Sequence, residues 1–378
     1  MLLTPEQESF REVVADFAAR VIAPAADEFN ANARFPLEIV AQMAELGLFG
    51  IPFPSEYGGM DGDLLATCIA IEEIGRVDQS LGLTLEAAVG LGATPIFEFG
   101  TEEQKQQWLP PLARGEALAA FGLTEPDGGT DNRGATRTRA VLDGDEWVIN
   151  GSKAFITNVG TEITSICTVT AWTGEDEMSA IVVPVDTPGF IVEPAYRKVG
   201  WHASDTHPIT LDDVRVPAAN LLGGRGAGLG QFLQTLTDGR IAISALATGL
   251  IQGCIDECLE YTEDRITFGR PLRTRHLITF RIADMEVAAQ TGRQMWMHAI
   301  ERKQAGLPYR REASIAKLYA SEQAVAAAAS AAQIFGGMGF MTETRVGRFY
   351  QDAKVLEIGE GTSEVQRFII GRELGRRQ

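Results

Sequence analysis

Along the first third of the chain, apolar positions recur every three to four residues; through the middle they alternate, and towards the end the longer period returns. This change of period predicts helices, then strands, then helices. Thr4-Pro5-Glu6-Gln7 is a capping box with proline at the first helical position, and Phe10, Val13, Val14, Phe17 and Val21 follow at helical spacing. Pro24 is expected to end or kink that helix. Helices are also predicted over residues 37–48, 64–74 and 81–99, with a rigid loop at 51–59 and a capped helix opening at Thr101 and ending near Gly115.

From Ala117 the runs are short, rich in Val, Ile, Thr and Trp, and separated by Asp143-Gly144, Asn150-Gly151, Thr173-Gly174 and Pro188-Gly189, which reads as antiparallel hairpins. Residues 179–185 and 209–216 continue the pattern. Gly223-Gly224-Arg225-Gly226 is a joint and not a phosphate loop, because no strand leads in and no Lys-Ser/Thr follows. Helical spacing then covers 232–265, breaks at Phe268-Gly269-Arg270-Pro271, resumes over 277–305 and 313–335, and stops at Gly336-Gly337. A polar link leads to Glu360-Gly361-Thr362 and an apolar segment from Val365. The expected architecture is α+β with several domains: all-α over 1–116, an antiparallel β domain over 117–222 and all-α over 223–378.

Composition narrows the function. The 378 residues carry a formal charge of −18, which disfavours nucleic acid and anionic membranes and requires local basic groups for any anionic ligand. Cys68, Cys167, Cys254 and Cys258 form no CxxC pair, in keeping with a reduced compartment, and the four histidines show no metal-ligand spacing, so no metal is expected. No apolar run reaches the roughly 20 residues of a membrane span, and the N-terminus lacks the regions of a signal peptide. A cytoplasmic bacterial protein with no membrane contact is the expectation.

The candidate for chemistry is Glu360. Flanked by Gly359 and Gly361, its backbone can approach a ligand closely, and in an apolar pocket its carboxylate would gain basicity by desolvation. Taken alone, Glu-Gly-Thr is more often a helix N-terminus.

Four motifs in order resemble the acyl-CoA dehydrogenase family, and the similarity runs the whole chain. They are Phe121-Gly122-Leu123-Thr124-Glu125-Pro126 through Asp131; Trp147 through Asn158; Arg265-Ile266-Thr267-Phe268-Gly269-Arg270-Pro271; and Gln333 through Glu364. The resemblance implies a C-terminal four-helix bundle, an FAD cofactor and an acyl-CoA substrate of fatty acid metabolism. It places Phe121, Leu123, Thr124, Gly129 and Thr130 at the flavin edge and pyrophosphate, with Thr130 also near substrate. Phe155, Ile156 and Thr157 would flank the ring. Arg265, Phe268, Gln333, Gly336 and Gly337 would reach FAD in an adjacent subunit, which implies a homotetramer or homodimer, and His276 would contact FAD. Thr362 and Glu364 would lie on the flavin side. Glu360 becomes the base for the α-proton, Gly359, Gly361, Thr237, Asp238 and Arg240 contact substrate, and electrons pass to an electron-transferring flavoprotein.

Departures from the family pattern refine this. Gly359 stands where an aromatic residue is common, which implies a branched, cyclic or otherwise bulky acyl group. His276 replaces a glutamine, His202 an arginine, and Asp238 lies one place closer to Arg240 than usual. Two other readings stay open: a dehydrogenase of carrier-protein-bound acyl groups, and a non-catalytic subunit of a mixed oligomer. The second should have lost Glu360, Arg265 or Gln333, and all three are present.

Overall fold

The computed structural model describes residues 2–375. Thr4 makes the predicted capping box on α1 (Pro5–Phe17). The helix does not stop at Pro24. A π-helical turn, Ala18–Ile22, carries the chain into α2 (Ala23–Ala31), so the proline sits in a first turn where its missing N–H costs nothing. There follow α3 (Leu37–Glu45), α4 (Leu64–Gly75) capped by Asp63, and α5 (Gln79–Glu86) capped by Asp78. A second π-helical stretch, Ala87–Ala93, joins α5 to α6 (Thr94–Phe99), and α7 (Glu102–Ala113) is capped by Thr101.

The middle region contains β1 (Leu118–Gly122), β2 (Arg139–Asp143), β3 (Glu146–Thr157), β4 (Thr164–Trp172), β5 (Met178–Pro184), β6 (Phe190–Val192), β7 (Thr206–Pro217) and β8 (Leu221–Leu222). They form a sheet in the order β6-β7-β3-β2-β4-β5-β8, with β1 added on β4. Most pairs are antiparallel; β1 and β2 meet β4 in parallel. Trp147, Ile149, Val169, Ile181 and Leu211 supply a core of its own.

Two turn expectations fail here. Asn150-Gly151 is not a hairpin but a bulge inside β3, where the register against β7 slips. Asn150 exchanges two 2.9 Å hydrogen bonds with Asp213, and a side chain at Gly151 would collide with Thr138. Pro188-Gly189 turns the chain but joins no hairpin, because β6 pairs with β7 instead of β5.

The last region holds α8 (Gly228–Asp264), β9 (Ile266–Thr267), β10 (Arg270–Pro271), α9 (His276–Gln304), α10 (Arg310–Phe335), α11 (Arg345–Leu356) and α12 (Ser363–Gly375). Helices α8, α9 and α10 pack on one another, and α11 and α12 pack on α10. Phe268 and Gly269, with φ of 50° and 78°, make the tight β9–β10 turn. The stretch expected to be a polar link contains α11: Val346, Phe349, Ala353 and Leu356 form its buried stripe under a Thr344 cap.

Two helical stretches, Gln79–Phe99 and Gly228–Asp264, are long and apolar enough to cross a bilayer, contrary to the sequence expectation. Both are mostly buried. Gly75 and Gly82 let α4 and α5 close directly on Leu246 of α8.

Candidate active site

Glu360 lies in the short turn between α11 and α12 with a left-handed backbone, φ 52°. A glutamate in that conformation is strained, and such strain persists where the surroundings over-determine it. Here Lys317 Nζ and Gln366 Nε2 both donate to the Gly361 carbonyl, at 2.8 and 2.9 Å, and pin the turn. The helix-start role falls to Thr362, whose hydroxyl accepts from the Val365 N–H at 3.4 Å. The Glu360 carboxylate is left over. Both its oxygens are buried with no hydrogen-bond donor, against α8 at Gly239, where any side chain would collide with Oε2.

Its surroundings are charged. Glu86, the last residue of α5, faces it and, among the described residues, likewise has two buried oxygens with no donor. Desolvation pushes the Glu360 carboxyl up to about 7, partly opposed by Glu86, Lys317 and Arg240. Burial and the neighbouring Glu360 drive Glu86 well above the carboxylate range. Lys317 is fully buried, and desolvation lowers it to about 8. Arg240 is also buried, with Nε and Nη1 unpartnered, and desolvation and Arg310 lower it to about 10.

Next to this cluster is a cavity of about 150 Å³, lined by Glu86, Val89, Gly90, Gly239 and Ala242 and closed by Phe53, Ile71 and Phe97. Asp238 and Lys303 also line it, but the Asp238 carboxylate is engaged by Lys303 at 2.6 Å and Tyr309 at 2.9 Å. Thr237 is buried and donates to the Leu233 carbonyl in its own helix. The cavity is therefore small and mostly apolar, and Glu360 Oε2 lies against Gly239 in its wall.

The two expected flavin-side motifs come together where the segment after β1 meets β3, through a 2.8 Å bond from the Ala154 N–H to the Thr124 carbonyl. Phe121 is not free at an edge: its ring stacks on Phe232 of α8 at 3.9 Å. Leu123 and Ile156 are buried in the cores, so only their backbone is available. Gly129 and Thr130 are exposed and Thr157 is half-buried. Phe155, at φ 60° and 65% exposed, stacks on Tyr196.

Arg265, Phe268, His276, Gln333, Gly336 and Gly337 are all exposed. They gather at the far end of the bundle, where Tyr261 stacks on Phe335 at 4.1 Å and donates to its carbonyl. At 1.5 Å per residue, Arg265 lies about 37 Å along the chain axis from Arg240. Within this chain they therefore lie apart from the site around Arg240 and Glu360. Thr362 is half-buried near Glu360, whereas Glu364 is exposed on α12.

The sequence reading missed three residues and a cleft. Glu86 is the one charged residue between Asp78 and Glu98, a signal that was available. Lys317 gave no such signal. Lys153, fully buried in β3, donates to Glu125 at 2.8 Å and to Thr170 at 3.1 Å, tying both flavin-side motifs together. Burial alone would raise Glu125, but Lys153 and its other donors hold it below the usual range. Beside Thr130, Arg133, Arg137, Arg139 and Trp172 line an open cleft of about 470 Å³ together with Asp131, Glu175 and Asp176.

Helical, β and helical regions follow one another in this order, with a buried carboxyl beside a small apolar cavity between the first and the last. The chain belongs to the acyl-CoA dehydrogenase family: residues 4–116, 120–214 and 226–375 match the N-terminal, middle and C-terminal domains of acyl-CoA dehydrogenase. It is 49% identical over 98% of both chains to a probable acyl-CoA dehydrogenase, YngJ, of Bacillus subtilis (strain 168). It is 43% identical over 99% of both chains to a short-chain specific acyl-CoA dehydrogenase of Clostridium acetobutylicum. Among solved structures, a chain described under the electron transferring flavoprotein of Acidaminococcus fermentans, towards a mechanism of flavin-based electron bifurcation, matches with TM-score 0.97 and 39% identity over 100% of both chains. The protein is an FAD-dependent oxidoreductase acting on acyl-CoA.

Proposed function

We propose that the chain removes the α and β hydrogens of a short, broad acyl-CoA thioester, with Glu360 as the base, and passes the electrons to an electron-transferring flavoprotein. The observation that carries this is the Glu360 carboxyl itself: buried, without a donor, raised to about 7 and set at the head of the apolar chamber. A base poised near working pH, in a dry site, is the arrangement proton abstraction requires.

The Glu360 carboxylate takes the α-proton. Its backbone N–H bonds the thioester carbonyl, where negative charge develops as the proton leaves. Arg240, its guanidinium short of partners, faces the pantetheine arm together with Gly361. The nucleotide phosphates would meet Arg137 and Arg139 in the cleft beside Thr130, where Arg133 is already paired to Asp176. Phe53, Ile71 and Phe97 limit acyl length, while Gly90 and Gly239 leave width, which favours a short branched or cyclic group.

FAD, when bound, accepts the β-hydrogen with its electron pair. The residues present fit it. At Gly336 and Gly337 a side chain would meet nothing within 4 Å, so the backbone is open to a second molecule, and Phe268 is 96% exposed. Thr124, Gly129, Thr130, Phe155 and Thr157 would hold the cofactor in one subunit. Arg265, Phe268, His276, Gln333, Gly336 and Gly337 would hold it from the next, in a cytoplasmic homotetramer or homodimer.

The test is anaerobic flavin bleaching by straight, branched and cyclic acyl-CoA esters, with wild type and Glu360→Gln. Bleaching by the broad short esters, slowed about 10²–10⁴-fold in the variant, is expected. Normal bleaching in Glu360→Gln would overturn the base assignment, and bleaching only by carrier-bound esters would overturn the CoA assignment.

A further inference from the structure

We propose that Glu86 is a positioning residue that keeps its proton at neutral pH and donates it in a hydrogen bond to Glu360, so that the pair binds one proton in the resting site. This rests on Glu360 being the base. Two carboxyl groups face one another, each with both oxygens buried and no other donor. Two ionised carboxylates facing one another would repel in a buried site, whereas sharing one proton satisfies both. The environment decides which group keeps it. Arg240 on α8 and Lys317 on α10 act on Glu360 and favour its ionised form, with Arg310, Glu357 and Glu322 acting on those two cations. Glu86 gains no cation. It ends α5 at the start of the π-helical stretch, with Gly90 alongside its Oε1 and the apolar chamber beyond.

The consequence is chemical. A donated hydrogen bond stabilises the Glu360 carboxylate and keeps its basicity within the neutral range, although burial alone would push it higher. Abstraction of the α-proton then leaves two neutral acids side by side, with no buried charge stranded between them.

The experiment compares Glu86→Gln and Glu86→Leu holoenzymes. Glutamine still donates to Glu360, so the acid limb of the pH–rate profile for flavin bleaching stays near the wild-type position. Leucine cannot donate, so that limb moves up by about one pH unit or more. Difference infrared spectra above about pH 8, where Glu360 is ionised, should show a protonated carboxylic acid band in wild type that Glu86→Gln lacks. This readout does not depend on which residue is the base. A downward shift of the limb in both variants would mean that Glu86 is ionised, and an unmoved limb in Glu86→Leu would mean that the two carboxyls are uncoupled; either overturns the proposal. Normal bleaching by Glu360→Gln with the infrared band present would instead overturn the base assignment alone.

Discussion

A Cβ on Gly239 would run into Oε2 of Glu360. Glycine in the middle of α8 costs roughly 1 kcal/mol of helix stability relative to alanine, and that cost is the room the base occupies. Overpacking is worth about 1–3 kcal/mol against the change, so the steric effect wins. Gly239→Ala is expected to slow flavin bleaching at least tenfold while shifting the melting temperature by only a few degrees. Unchanged bleaching would mean that the carboxylate adjusts freely.

Glu360 also imposes a pH dependence on stability. Its folded pKa of about 7 lies above the ordinary carboxylate value, so the folded state binds that proton more tightly than the unfolded one. The resulting stabilisation is complete below about pH 4 and fades as pH rises through 7. Glutamine at 360 never ionises. Glu360→Gln should therefore match wild type at low pH and exceed it by about 1–3 kcal/mol above pH 8, as calorimetry across pH would show. A constant difference would indicate that the carboxylate ionises without penalty.

The Glu125–Lys153 pair is a different case, because its charges are matched. Lys153→Met leaves a buried carboxylate unpaired and should cost about 3–5 kcal/mol. Flavin should be retained poorly, since the pair joins the segment carrying Thr124 to the strand carrying Thr157. Combining Lys153→Met with Glu125→Gln should recover part of the stability. Thermal melts and flavin absorbance after gel filtration measure both effects, and a fully stable Lys153→Met would contradict the assignment.

Arg265 is exposed, so its loss should cost the isolated fold no more than about 0.5 kcal/mol. Arg265→Ala is nevertheless expected to lose most of its flavin if the guanidinium serves a neighbouring subunit. Light scattering with flavin quantitation would show this. Retention of full flavin by an otherwise normal oligomer would remove Arg265 from the cofactor site.

Much of the fold was legible because it is periodic. The capping boxes at Thr4 and Thr101 sit where the sequence placed them, and the glycine stop at Gly336 ends α10. Asn150-Gly151 misled because the dipeptide that favours a tight turn also suits a bulge, and only its pairing with Asp213 chooses between them. Helix α11 hid because charged residues interrupt its apolar stripe, and two of them, Arg348 and Asp352, are buried beside Phe349 and Leu356. In the candidate site, Glu360 was visible from its motif. Lys317 was not, because a lysine on a helix is ordinarily solvated, and only the fold shows that this one is buried beneath the turn.

The wide helical turn after Glu86 sets the direction of that side chain. Upstream, Gly82 is seated on Leu246; downstream, Gly92 lies close against Ala119 of β1. Both ends are therefore fixed, and the stretch between them holds one residue more than a regular helix would. Deleting that residue would tighten the turn to regular helix between two fixed ends and change the backbone immediately after Glu86.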